Sequence, residues 1–97
     1  MMTATDLVTL RLYIAGDAQN STVAMNNLTA LCEQHLDGRH EIEVIDVFVN
    51  PERALADGIM MTPTVLRVDL NPMRRVVGNL SESDWVVHAL GLSRNVM

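Results

Sequence analysis

Residues 58–64 read Gly-Ile-Met-Met-Thr-Pro-Thr, a glycine, three apolar side chains and a proline boxed between two threonines. Pro63 then opens an alternating run. Val65, Arg67 and Asp69 fall on one face while Leu66, Val68 and Leu70 fall on the other, the period of a strand. Asn71-Pro72 makes a turn, and residues 74–80, RRVVGNL, supply a further strand, so the pair reads as an antiparallel hairpin. Upstream, Asn50-Pro51 places a capping residue before a proline at the first helical position, and the short helix this predicts runs through Leu55 and ends near Gly58.

Working outward, residues 9–16, TLRLYIAG, set Leu10, Leu12 and Ile14 against Thr9, Arg11 and Tyr13, which is a first strand. Asn20 or Ser21 then caps a helix with the stripe Ala24, Met25, Leu28, Leu31, Cys32, His35 and Leu36, closed by Asp37-Gly38. Residues 41–49, EIEVIDVFV, are rich in β-branched side chains and apolar on both faces beyond Val44, as expected of a strand covered on two sides. At the other end, Ser81 and Asp84 form a capping box that starts a segment running from Trp85 to Leu92.

Strand, helix and strand joined by short loops make a right-handed βαβ unit with parallel strands. The whole order is βαβαββα: a parallel pair, then an antiparallel pair, in one four-stranded mixed sheet with helices on both faces. That is the α/β arrangement of the thioredoxin-like fold. A proline that starts the third strand of this fold is often cis, so Thr62-Pro63 is the candidate, with its isomer left open against the general trans preference.

Composition bounds the function. A chain of 97 residues is expected to form one domain, burying roughly two-thirds of the surface its unfolded form exposes, with no need of a disulfide or metal. Only three residues are aromatic among 48% apolar ones, so the core is expected to be built from Leu, Val, Ile, Ala and adaptable Met. A net charge of −5 argues against nucleic acid, whose binders carry a basic excess. The N-terminus has no secretory-signal pattern and no apolar run spans a bilayer. The single cysteine, Cys32, fits a reducing compartment, so the expectation is a cytoplasmic protein that engages neither nucleic acid nor membrane.

The chemistry of the redox enzymes on this scaffold is missing. Thiol–disulfide exchange needs a low-pKa thiolate at the start of the first long helix, and there the chain reads GDAQNS. Cys32 lies more than two turns inside the helix on its apolar stripe, where its pKa should rise. Ser21 stands near the thiol position with no preceding histidine and reads as a cap. Cys32, His35 and His40 make no credible metal site, because a site needs three or four ligands and a second shell. His88 has no carboxylate or nucleophile placed beside it, and the scattered glycines form no phosphate loop. No catalytic residue, metal or cofactor is therefore expected. Arg74-Arg75 reads first as a strand-edge pair that discourages aggregation, with partner contact as the second reading.

The strings LRLYIAG, NS at the helix start, EVIDVFVNPERA, IMMTPTVLRV and NPMRRVVGNLS resemble, in the same order and with nearly unbroken spacing, the KaiB family of circadian clock proteins. The match covers roughly residues 8 to 92. Its most specific parts are VIDV followed by NP, and TPT followed by P-x-R-R-x-x-G-x-L-S. The resemblance implies a non-enzymatic adaptor that binds a KaiC-type ATPase ring, brings a further clock or signalling protein to it, and regulates circadian or stress signalling. It places the docking surface at the second helix and the start of the next strand, near Pro51, Ala54, Asp57, Gly58 and Pro63, with Arg74 and Arg75 as charged contacts.

The resemblance also implies a choice between two folds. Some family members exchange between a monomeric thioredoxin-like form, which binds, and a form with a refolded C-terminal half that assembles into a tetramer. Pro63, Ala89 and Gly91 lie in the segment that changes. Where switching members carry glycine then aspartate, this chain has Ala89 and Gly91. Alanine inside the last helix favours it over glycine by about 0.8–1 kcal/mol, so the thioredoxin-like form is expected here. Two departures mark a divergent paralogue: Gly58 stands where members often have lysine, and residues 93–97, SRNVM, are not acidic. The alternative functions are a sensor module of a two-component histidine kinase pathway and a redox-inactive relic of a thiol enzyme.

Overall fold

In the computed structural model, which describes residues 7–92, the elements in chain order are β1 (Val8–Ile14), α1 (Gln19–Leu36), β2 (His40–Asp46), α2 (Pro51–Ala56), β3 (Thr64–Arg67), β4 (Arg74–Val77) and α3 (Ser83–Leu90). The readings of the N-terminal signal and of the SRNVM tail fall on residues 1–6 and 93–97, outside the described residues. The sheet runs β2-β1-β3-β4. β1 pairs parallel with β2, from Val8 opposite His40 to Ile14 opposite Asp46. It pairs antiparallel with β3, Leu12 opposite Val65, and β3 pairs antiparallel with β4, Val65 opposite Val76. This is the βαβαββα order expected from the sequence.

Alternation along β1 divides two cores between the faces of the sheet. Val8, Leu10 and Leu12 meet Ala24, Leu28, Leu31, Cys32 and Leu36 of α1 and Val86 and Leu90 of α3, joined by Val65 and Val76. On the opposite face Tyr13, Ile45 and Leu66 lie under Ala54 of α2, with Val47, Ile59 and Val68 at the margin. Leu10, Leu12 and Leu28 are fully buried, each stabilising the fold by about 1.5–3 kcal/mol. The face under α1 and α3 therefore carries most of the hydrophobic stability, and the α2 face is thin.

Several expectations need correction. β2 is not covered on both sides: it is the edge strand, with Ile45 alone fully buried and Val44 42% exposed. Its β-branched residues report a pleated surface, which says nothing of position in a sheet, and Glu41 and Glu43 suit an edge. Phe48 and Val49 leave the strand for a turn and stand 75% and 71% exposed. Among the described methionines only Met25 packs against the core, while Met60, Met61 and Met73 are exposed, and Tyr13 is fully buried. β3 and β4 stop three residues short of the expected hairpin strands at Arg67 and Val77. Thr62-Pro63 is cis, as is Asn71-Pro72.

The caps also differ. α1 begins at Gln19 after Ala18, with no side-chain cap. Ser21 is buried, and its hydroxyl accepts a hydrogen bond from the Ala15 amide at 3.3 Å, so it ties the β1–α1 loop together. α3 likewise lacks the expected Ser81–Asp84 box: Ser81 lies outside the helix, which starts after Glu82 with no side-chain cap. What defines α3 is its end. Gly91 adopts φ +68°, the Leu92 amide donates to Val87 O at 2.9 Å and the Gly91 amide donates to His88 O at 3.2 Å, a Schellman closure. Arg67 Nη1 then donates to Leu90 O at 3.0 Å and Gly91 O at 2.7 Å, covering carbonyls the helix leaves unpaired.

Candidate functional site

α2 has six residues, starts with Pro51 and buries only Ala54, too little apolar contact to hold so short a helix alone. A polar network supplies the rest. The Tyr13 hydroxyl lies 2.5 Å from Asp57 Oδ2 and 3.1 Å from Arg53 O. With one proton to give, it donates to the nearer, charged acceptor. Arg11 Nη1 donates to the same carboxylate oxygen at 3.0 Å, and Arg53 forks onto Glu43 at 2.5 and 2.9 Å. From β4, Arg75 donates to the carbonyls of Asp57 at 2.9 Å and Gly58 at 3.1 Å. Strands β1, β2 and β4 thus each reach up to the segment 53–58.

The electrostatics follow from this geometry. Burial, then the hydrogen bond to Asp57 and its charge, push the Tyr13 phenol up to about 12. Burial pushes the Asp57 carboxyl up, but the hydrogen bonds from Tyr13 and Arg11 outweigh it and hold the group below the usual aspartate value. The Arg53 fork holds Glu43 below the ordinary glutamate range. Asp57 is therefore a fixed anion at neutral pH, committed to structure.

Several large apolar side chains of this part of the chain are exposed: Leu55 at 82%, Met60 at 90%, Met61 at 63%, and Phe48 and Val49. A cleft of about 260 Å³ opens among Ala15, Val47, Phe48, Ala54, Ile59 and Met60. A cluster of large exposed apolar residues around a cleft is the mark of a protein-contact surface. Phe48 and Val49, which the sequence assigns to a strand, and Met60 and Met61, of a residue type expected in the core, are among the most exposed apolar residues. Their Met and β-branched chemistry carries no sign of exposure.

The expected site residues divide. Asp57, Gly58 and Arg75 come together through the Arg75 guanidinium. Pro51 is exposed at the start of α2, whereas Ala54 and Pro63 are buried, so these two shape the surface from below. Arg74 is not part of this group. It pairs with Arg67 across the hairpin, on the α3 face, and its Nη1 lies 3.2 Å from where a Gly91 Cβ would sit. Ala89 packs against the core under α1 and α3. Sequence reading misses the Tyr13–Asp57–Arg11 bonds because their members lie more than forty residues apart.

At the place where a thioredoxin carries its nucleophile, this chain has no cysteine. Cys32 is fully buried, and burial, then the Glu33 charge, raise its thiol to about 11, far from a reactive thiolate. Among the described residues no group of three or more His, Cys, Asp or Glu side chains gathers as metal ligands, and no helix is long and apolar enough to cross a membrane. The site offers shape, apolar surface and fixed charge rather than a reacting group.

Comparison with known proteins agrees with this geometry. A mutant thioredoxin from Halobacterium salinarum NRC-1 superposes with a TM-score of 0.68 at 22% identity, over 96% of this chain and 81% of its own. The N-terminal domain of SasA from Synechococcus elongatus gives a TM-score of 0.72 at 13% identity, over 94% of this chain and 90% of its own. Both likenesses speak to fold, and the fold is thioredoxin-like. In sequence, the circadian clock oscillator protein KaiB of Gloeothece citriformis is 40% identical over 83 residues, which is 86% of this chain and 78% of that protein. The KaiB domain matches residues 11–92. The chain therefore belongs to the KaiB family, whose members are clock proteins and not enzymes.

Proposed function

We propose that this chain is a non-enzymatic adaptor that docks on a KaiC-type ATPase ring through the α2 face. The observation that carries the reading is the exposed apolar side chains Phe48, Met60 and Met61 lining a cleft, with Leu55 exposed on the network-braced helix whose Ala54 lines the same cleft. Membership of the KaiB family supports a partner of this class. Pro51, Gly58 and the apolar side chains make the contact. Ala54, Asp57, Pro63 and Arg75 hold the contact surface in shape. Gly58 puts no side chain into the interface, so the affinity comes from apolar burial, with little dependence on salt. The adaptor works as a single cytoplasmic domain and a monomer in the thioredoxin-like form. A tetramer belongs to the alternative form, and a further clock or signalling protein joins on the ring.

Size-exclusion co-elution with the KaiC-type ATPase of the same organism, in ATP and in ADP, tests this. The expected result is a complex in at least one nucleotide state that survives 0.5 M salt and is lost in Leu55→Asp. Free chain in every nucleotide state, at tens of micromolar, would overturn it.

A further inference from the structure

We propose that the free edge of β4 is a second docking site, which adds an extended segment of a partner protein carrying an apolar residue and an acidic residue two positions apart. The surface lies beyond the α2 face and its use does not depend on the ATPase reading.

Among the described residues the sheet ends at β4, and no strand there pairs with its outer side. The Gly78 amide donates to Pro63 O at 2.8 Å, one step along the register that pairs Thr64 with Val77 and Val65 with Val76. Hydrogen-bonded and non-hydrogen-bonded pairs alternate in an antiparallel ladder. The backbone groups of Arg74, Val76 and Gly78 therefore turn toward β3, and the N–H and C=O of Arg75 and Val77 point outward. Such an edge is a template for another strand unless charged side chains guard it. Here the guards are folded away. Arg75 is turned onto the carbonyls of Asp57 and Gly58, and Arg74 lies back toward Gly91.

Beside the open edge is a cleft of about 340 Å³, lined by Val76, Val77, Leu80, Trp85 and Val86. Trp85 is 60% exposed and Val77 49%. An added strand would pair with the outward backbone groups and cover the apolar cleft, as in recognition by strand addition. The charge chooses the occupant. Arg67 is paired with Asp69 and caps α3, whereas Arg74, on the same face, has no carboxylate partner among the described residues. In an added antiparallel strand, the residue opposite Val76 faces the cleft and the residue two positions later lies opposite Arg74. An apolar residue followed at i+2 by Asp or Glu satisfies both. A second copy paired symmetrically about Val76 would bring Gly78 opposite Arg74 and leave its charge unanswered.

The test uses the whole chain and a blocked peptide, acetyl-Lys-Thr-Ile-Thr-Glu-Thr-Lys-amide, with a control in which Lys replaces the Glu. Titration is followed by Trp85 fluorescence and by the amide resonances of Arg75 and Val77. Saturable shifts of both amides and of Trp85 emission are expected, at least tenfold weaker for the control. Val77→Pro removes an outward N–H without touching the bonds to β3 and should abolish the response, while Arg74→Glu should reverse the preference between the two peptides. Unmoved Arg75 and Val77 amides at millimolar peptide would overturn the proposal. So would equal binding of the control, an unaltered response in Val77→Pro, or sedimentation showing that the edge is occupied by a second copy. None of these readings involves the ATPase, so failure here and failure of the α2 docking are separately visible.

Discussion

The Tyr13 hydroxyl of β1 lies 2.5 Å from the Asp57 carboxylate at the end of α2, and Arg11, two residues before Tyr13, meets the same oxygen. One carboxylate thus bolts α2 to β1, an inner strand of the sheet. Because α2 buries only Ala54, the shape of this exposed face depends on polar bonds more than on packing.

Tyr13→Phe keeps the ring and removes the bolt. A hydrogen bond to a charged acceptor contributes about 1.5–3 kcal/mol, and Arg11 still holds Asp57, so a loss near the lower end is expected in urea unfolding with an unchanged slope. Asp57→Ala should cost more, since it takes the acceptor from one Arg11 donor and leaves the buried Tyr13 hydroxyl only the longer, neutral contact to Arg53 O. A double-mutant cycle of the two should show coupling of about 0.5–3 kcal/mol.

The pH dependence has a definite sign at each end. Tyr13 rises from 10.0 to about 12 and Cys32 from 9.0 to about 11. Above those unfolded values the unfolded chain releases protons that the folded chain keeps, so stability falls as pH climbs from about 9 to 12. The Tyr13 share is about 3 kcal/mol. At the acid end, burial raises Asp69 but the bonds from Arg67 and the Thr9 amide outweigh it, and Asp57 is lowered likewise. Their stabilisation is complete above the unfolded value of 3.8 and is lost as pH falls through the folded ones. Urea midpoints from pH 2 to 12 should form a plateau with both shoulders, and Tyr13→Phe should shrink the alkaline one to the Cys32 share.

The elements legible in the sequence are those whose signal is local. Leu10 and Leu12 alternate with Arg11 and Tyr13, the α1 stripe repeats at helical spacing, and Pro63 and Asn71-Pro72 punctuate the hairpin. The placement of β2 at an edge is not legible, because the strand period says which residues share a face and not which strand lies alongside. The caps escape for a related reason: a serine near a helix start has several backbone groups in reach, and Ser21 takes the Ala15 amide. Of the candidate site, the sequence names Asp57, Gly58 and Arg75, which the structure brings together, but the exposure of Phe48, Leu55 and Met60 depends on how little α2 packs against the sheet, which local sequence does not encode.

Gly91 should tolerate no side chain. Its φ is +68°, and a Cβ there would meet Arg74 Nη1 at 3.2 Å and Arg67 Nη1 at 3.3 Å. The left-handed conformation alone costs a non-glycine residue about 1–2 kcal/mol. Gly91→Ala and Arg67→Ala should both destabilise the chain and speed amide exchange selectively in residues 86–92, leaving α1 amides at their original rates. Uniform acceleration across α1 and α3 would show that these contacts are not specific to the end of α3.

Cys32 should behave as a core residue. Native chain is expected to react with a thiol-directed chromogenic disulfide at least a hundredfold more slowly than urea-unfolded chain, at the rate at which α1 opens. Insulin reduction should stay at the background rate. Fast labelling in native buffer would contradict its burial.

On the contact face, Met60→Asp should leave the urea midpoint nearly unchanged, because the side chain is 90% exposed, and should weaken the complex with the ATPase at least tenfold, as truncating a central apolar anchor does. The same change at Met73, exposed but remote from the α2 cleft, should have no effect on either.

Amide hydrogen exchange on this chain, alone and with an excess of the KaiC-type ATPase and ATP, tests the adaptor reading most directly. The expected result is slowed exchange centred on residues 48–61, absent when Leu55→Asp replaces the parent chain. Unchanged exchange across 48–61 in every nucleotide state, or slowing centred on the outer surface of α1 instead, would contradict it.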